Sequence, residues 1–152
     1  MYVIGCDYSS HHVDVVRVLY DTTTTAQPLW LRFNLTGNDA FDRARSVADS
    51  LPGRHSTFHD DVLAWGIEDP RGQNAGALYR VQGAILAHIP ARMLVEKWVP
   101  SAWRKANGLP GNCPKRVVFD HARHVFDQNV PQDACDAYCV AIATRNAIEA
   151  AT

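Results

Sequence analysis

The chain has 152 residues, 47% of them hydrophobic, with 15 basic against 16 acidic residues and a formal net charge of −1. That composition excludes a disordered chain and is long enough for one compact domain with its own core, expected to span residues 1–152. Near-balanced charge excludes a polycation, so any nucleic-acid surface must come from local clustering.

No apolar run approaches the roughly 18 residues of a membrane span, and no leader pattern precedes the first strand, so a soluble, cytoplasmic protein without a membrane partner is expected. The four cysteines, Cys6, Cys113, Cys135 and Cys139, match no zinc spacing and are expected as reduced, partly buried thiols.

Residues 2–7 are predicted as a buried strand, and 12–20, HVDVVRVLY, alternate as its hairpin partner. DTTTTAQP is a polar turn, and LWLRFNL at 29–35 a third strand. A helix follows, capped by Asn38 or Asp39, with Phe41, Ala44, Val47, Ala48 and Leu51 on one face; Pro52-Gly53 ends it. DVLAWGIED at 61–69 is a fourth strand. Residues 74–89 form a helix with Leu78, Val81, Ile85 and Ile89 as its inward stripe, and 92–99 a fifth strand. PSAWRKANGLPGNCP is predicted as a loop, 114–126 as a helix, and a last helix opens at Pro131. Three strands followed by alternating units give an α/β fold: a five-stranded mixed sheet, its first three strands antiparallel, flanked by helices.

The chemistry lies at the strand ends. Asp7 ends the first strand and Glu68 the fourth, and Asp133 and Asp136 project from one face of the last helix. Each acid alone also fits a turn or cap position. Together, with the first and fourth strands as neighbours, they form a carboxylate cluster that only cations make tolerable, and hard divalent ions take oxygen ligands. The job that fits is two-metal phosphodiester hydrolysis, the ions about 3.5–4 Å apart. Asp69 competes with Glu68 for its place; the apolar LAWGI runs directly into Glu68.

IGCDYSS, WGIEDP…NAGALYRVQGAILAHI, VPSAWRKANGLPGNCPKRVV and PQDACDAYCVAIA resemble, in order and over most of the chain, the RuvC family of Holliday-junction resolvases. The resemblance implies an RNase H-like fold and a crossover junction endodeoxyribonuclease with Asp7, Glu68, Asp133 and Asp136 as catalytic metal ligands. It also implies two Mg2+ ions per site, with Mn2+ as a substitute, and a cell that is bacterial or phage-infected. Asn74-Ala75 matches the family's Asn-Ala helix; Arg104 or Lys105, and Lys115, match its basic segment. Bacterial members often carry an aromatic wedge just after the catalytic Glu. Here that stretch is DPRGQ, with Arg71 instead.

Between Arg92 and His124 lie seven basic residues against two acidic ones, in a chain of net charge −1. Such a stripe fits phosphate binding, with Arg71, Asn74, Arg104, Lys105, Lys115 and Arg116 as the expected DNA contacts; a solvated surface is the plainer reading. Trp98 is expected in the core, and Trp103 under the loop or stacked on a base. His11, His12, His121 and His124 are expected as surface or packed histidines, any acid–base role being secondary. Other nucleases of the same fold, cutting RNA–DNA hybrids or flaps, would use the same acids, and a non-catalytic DNA-binding module is a third reading. Paired cuts on a four-way junction imply a two-fold homodimer, with the Leu78/Ile85 stripe and Ala75 and Ala77 beside it as candidate contact or, equally, as core.

Overall fold

The computed structural model describes residues 1–23, 26–72 and 75–152. Its strands are β1 (Tyr2–Tyr8), β2 (His12–Leu19), β3 (Leu29–Asn34), β4 (Val62–Glu68) and β5 (Leu94–Trp98). The helices are α1 (Ala40–Ser50), α2 (Ala75–His88), α3 (Pro100–Ala106), α4 (Lys115–Ala122) and α5 (Gln132–Ala151). The sheet order is β3-β2-β1-β4-β5. The first three strands are antiparallel, β4 runs parallel to β1, and β5 parallel to β4. No helix among the described residues is long and apolar enough to cross a membrane.

Burial on both faces explains the unbroken apolar character of β1. Val3, with Val16 and Val18 of β2, faces α5 and the small helices α3 and α4. Ile4 and Cys6, with Val13, Val15, Trp65 and Ile67, face α1 and α2 through Val47, Leu51, Val81 and Ile85. A strand covered on both sides needs apolar residues at every position.

Two glycines set the distance of α5 from the sheet. Gly5 and Gly66 are register partners on β1 and β4. A Cβ on Gly5 would strike the Ala137 carbonyl and Ala141, and one on Gly66 would strike Thr144 Oγ1 and Val140. With Ala137 and Ala141 presenting only methyl groups, the helix lies directly on the strand backbones. Its N-terminal turn then comes to rest above the strand ends, where the acids are.

Several expectations need correction. PSAWRKA is the helix α3 rather than a loop: Pro100 takes a first-turn position, and Trp103 buries completely. The helix expected over 114–126 stops at Ala122 and tightens into a 3-10 turn at Arg123–Val125. Asp39 caps α1 by accepting from the Phe41 and Asp42 amides, but Phe41 is 61% exposed and Ala48 is exposed. On α2, Ile85 is fully buried in the core, so the Leu78/Ile85 stripe is not a free face. All four cysteines are free and buried.

Candidate functional site: a carboxylate cluster at the sheet edge

Because β1 and β4 are parallel neighbours, their C-terminal ends coincide. Cys6 pairs with Ile67, one residue before each carboxylate. Asp7 and Glu68 line one cleft, and α5 lowers its first turns over it. Asp7, Asp133 and Asp136 each bring a carboxylate oxygen within 4.8 Å of the others. Asp69 does not enter: its carboxylate is 3.3 Å from Arg71 Nη2, and its amide donates to the Trp98 carbonyl.

Burial and mutual repulsion govern these acids. Burial first, then Glu68, Asp136 and Asp133, raise the Asp7 carboxyl well above the usual range, against Lys115. Glu68 is raised by burial and by Asp136, opposed by a hydrogen bond that Trp103 donates. Asp136 is raised by burial, opposed by Gln132, whose amide donates to Oδ1 at 2.8 Å, and by Lys115. Burial disfavours the Lys115 ammonium, but Asp136 and the other acids outweigh it and raise its pKa. Lys115 Nζ stands 3.5 Å from Asp136 Oδ2 and 3.9 Å from Asp133 Oδ1.

A second layer comes from the β2–β3 hairpin, which the sequence did not reveal. Asp14 faces Asp7 across β1–β2 and Arg32 across β2–β3. It is fully buried, forked by Arg32 (Nε to Oδ1 at 3.0 Å, Nη2 to Oδ2 at 2.9 Å), and accepts from Trp30 Nε1 at 2.7 Å. Arg32 Nη2 also reaches Asp133 Oδ2 at 3.3 Å, and His12 Nε2 lies 2.9 Å from the same oxygen. His12 therefore belongs to the site rather than to the surface. The readable signal was a charged residue, Asp14, at an inward position of an apolar strand; its partners depend on hairpin register.

Five carboxylates, Asp7, Asp14, Glu68, Asp133 and Asp136, thus meet two permanent cations, Arg32 and Lys115. Arg32 satisfies Asp14, which leaves Asp7 and Asp136, buried, and Glu68 and Asp133, half-buried, as hard oxygen donors that outnumber the cations beside them. That donor set fits divalent metal ions.

The basic residues divide. Arg71, 65% exposed, borders the Asp7–Glu68 cleft and shares a shallow hollow of about 450 Å³ with Arg104. Arg104 Nη1 donates to the Gly111 carbonyl, and its guanidinium lies over the Trp103 ring. Lys105 is exposed, and Arg116 is exposed and paired with Asp120 at 3.1 Å. Asn74 lies outside the described residues. A groove of about 470 Å³ that shares Asp7 and Glu68 with the cleft beside Arg71 is also lined by Leu78, Arg43 and Lys115. Leu78 therefore borders the site. Asp7 and Glu68 thus line both the cleft and the groove, one bordered by Arg71 and the other by Arg43 and Lys115.

No protein-family model and no curated protein sequence matches the chain. Solved structures do. The RuvC structure from Thermus thermophilus is similar over 99% of this chain and 97% of its own, with a TM-score of 0.70 at 18% identity. T. thermophilus RuvC in complex with a Holliday junction substrate is similar at TM-score 0.67 and 19% identity, over 98% of this chain and 96% of that one. The fowlpox virus Holliday junction resolvase gives 0.52 at 16% identity, over 97% and 99%. The chain has the RuvC-like, RNase H-like fold expected from its motifs.

Proposed function

We propose that this protein is a metal-dependent, structure-selective endonuclease that hydrolyses phosphodiesters in branched DNA, four-way junctions foremost. Asp7, Glu68, Asp133 and Asp136 are the residues that would hold two Mg2+ ions, or Mn2+ in their place. The observation that carries the reading is the convergence at one sheet edge of the carboxylates of Asp7, Asp133 and Asp136, with Glu68 of β4 lining the same cleft, on a fold shared with RuvC. Such ions, when bound, supply a hydroxide nucleophile from water and stabilise the leaving oxygen.

The chain's own residues prepare the site. The strand ends and the glycine-seated α5 hold the acids rigidly, so little reorganisation is required of them. Lys115, 63% exposed yet beside Asp136, is placed to attract a DNA phosphate into the groove. Arg71 and Arg104 extend the phosphate track on one side, and Lys105 and Arg116 add to the field from α3 and α4. Asn74 joins this set on the strength of its motif alone.

Paired cuts on a two-fold symmetric junction call for two active sites, so the working species is a homodimer. With Ile85 committed to the core, we take as the contact for a second copy the groove between α1 and α2, where Phe41 is exposed beside Ala44, Ala84 and Ala87.

A substrate panel tests the reading. Cleavage in Mg2+ is measured on a synthetic four-way junction, a flap, linear duplex and an RNA–DNA hybrid. Preference for the junction is expected. Preference for the hybrid or the flap assigns the same acids to another RNase H-like nuclease, and binding without cleavage of any of them leaves a DNA-binding module.

A further inference from the structure

Glu68 has one hydrogen-bond partner on its carboxylate among the described residues: Trp103 Nε1 donates to Oε2 at 2.9 Å. The indole is completely buried. Its helix is locked in place, because Asn107 Nδ2 donates both to the Trp103 carbonyl and to the Cys139 carbonyl of α5, each at 2.8 Å. The main-chain carbonyl of Glu68 is held separately, by Tyr8 Oη at 2.9 Å and Gln82 Nε2 at 3.2 Å. The backbone at the strand end is therefore fixed without Trp103; what the indole alone decides is the direction of the carboxylate.

We propose that Trp103 is a positioning residue of the metal site: its fixed N–H commits Glu68 Oε2 and leaves the other oxygen to a divalent cation. The inference rests on the nuclease reading above and adds to it a residue to which the family resemblance gives no role at the metal site. Outer hydrogen bonds to ligating groups are typically worth about 10–100-fold in metal affinity, and an indole in a core cannot swing away as a surface donor can.

The test is Trp103→Phe, which keeps the aromatic packing and removes the N–H. Mn2+ alone is titrated calorimetrically into the apoprotein, without DNA, and junction cleavage is followed in parallel. Trp98→Phe is the control: Trp98 pairs with Glu68 in the sheet, but its Nε1 donates to Thr144 Oγ1 of α5 at 2.9 Å, so this variant also loses an indole donor, one that does not bond a carboxylate. Expected is an Mn2+ affinity about tenfold lower in Trp103→Phe, with kcat reduced and junction affinity within twofold of wild type. Trp98→Phe should lose thermal stability while keeping wild-type Mn2+ affinity. Equal Mn2+ affinity in Trp103→Phe and wild type overturns the positioning role and leaves the nuclease reading standing. Equal losses in both variants make the effect one of general stability and overturn it too. A wild-type protein that binds no Mn2+ overturns the metal reading itself, and this inference with it.

Discussion

Replacing Asp7 with Asn should stabilise the apoprotein while abolishing cleavage. Asp7 is buried, and burial together with Glu68, Asp136 and Asp133 raises its pKa. A raised folded-state pKa means that the ionised form is disfavoured by the fold. The penalty is full above that pKa, shrinks as pH falls below it, and is gone only below the pKa of the unfolded-state carboxyl. Asn has the same shape and no charge, and its Oδ1 can still accept from the Tyr8 amide, which donates to Asp7 Oδ1 at 2.9 Å. The gain should be about 0.5–2 kcal/mol, the usual scale of one stabilising substitution. For a chain of 152 residues, each kcal/mol moves Tm by about 2–4 °C, so a rise of about 1–8 °C is expected. The assay is thermal melting at pH 8 in a chelator, repeated at falling pH, where the gap between the proteins should close. Mg2+ at a hundredfold excess over its Kd should then return about 2.7 kcal/mol to the wild type and much less to Asp7→Asn. A lower Tm for the variant at pH 8, or a gap that ignores pH, would refute the electrostatic reasoning.

Gly5→Ala should cost about 1–3 kcal/mol or more, because the new Cβ meets α5 backbone at Ala137 and Ala141; denaturant melts check this, and wild-type stability would mean that α5 is not seated on the strands. Lys105→Ala and Lys115→Ala should each flatten the log–log salt dependence of junction binding by about one unit per lost phosphate contact. Titrations at several salt concentrations measure it, and unchanged slopes would return both lysines to plain solvent exposure. Light scattering should give about twice the 16.9 kDa chain mass, and Phe41→Glu, at a site 61% exposed, should yield a folded monomer whose Tm no longer rises with protein concentration. A wild-type monomer, free and on junction DNA, would remove the paired-cut mechanism.

Most of the fold was legible because strand alternation and helical stripes are local. The strands appear within two residues of their expected bounds. The exceptions have physical causes. The seven residues of α3 lie among Pro, Asn and Gly, too short a run for a stripe to show, and tertiary burial of Trp103 holds the helix together. The fifth strand was legible as a strand, but not its exposure: β5 is an edge, with Leu94 58% exposed. At the site, the acids announced themselves because a carboxylate after an apolar strand is locally conspicuous. Their partners did not. The bonds of His12 and Arg32 to Asp133 span 121 and 101 residues of chain, and that of Trp103 to Glu68 spans 35. Such contacts depend on hairpin register and helix docking, which no local pattern encodes.

The central claim, that these carboxylates perform metal-dependent cleavage of junction DNA, is tested most directly by separating binding from cutting in Asp136→Asn. Asp136 lies beside Lys115 and Gln132 within the cluster and, among the described residues, pairs with none of the exposed cations Arg71, Lys105 and Arg116. Junction affinity is measured in Ca2+, whose looser coordination supports binding with little cleavage, and single-turnover cutting is measured in Mg2+. We expect wild-type affinity, no cutting by the variant, and no cutting by the wild type in chelator. Cutting by Asp136→Asn at the wild-type rate, or wild-type cutting that persists in chelator, would contradict the claim.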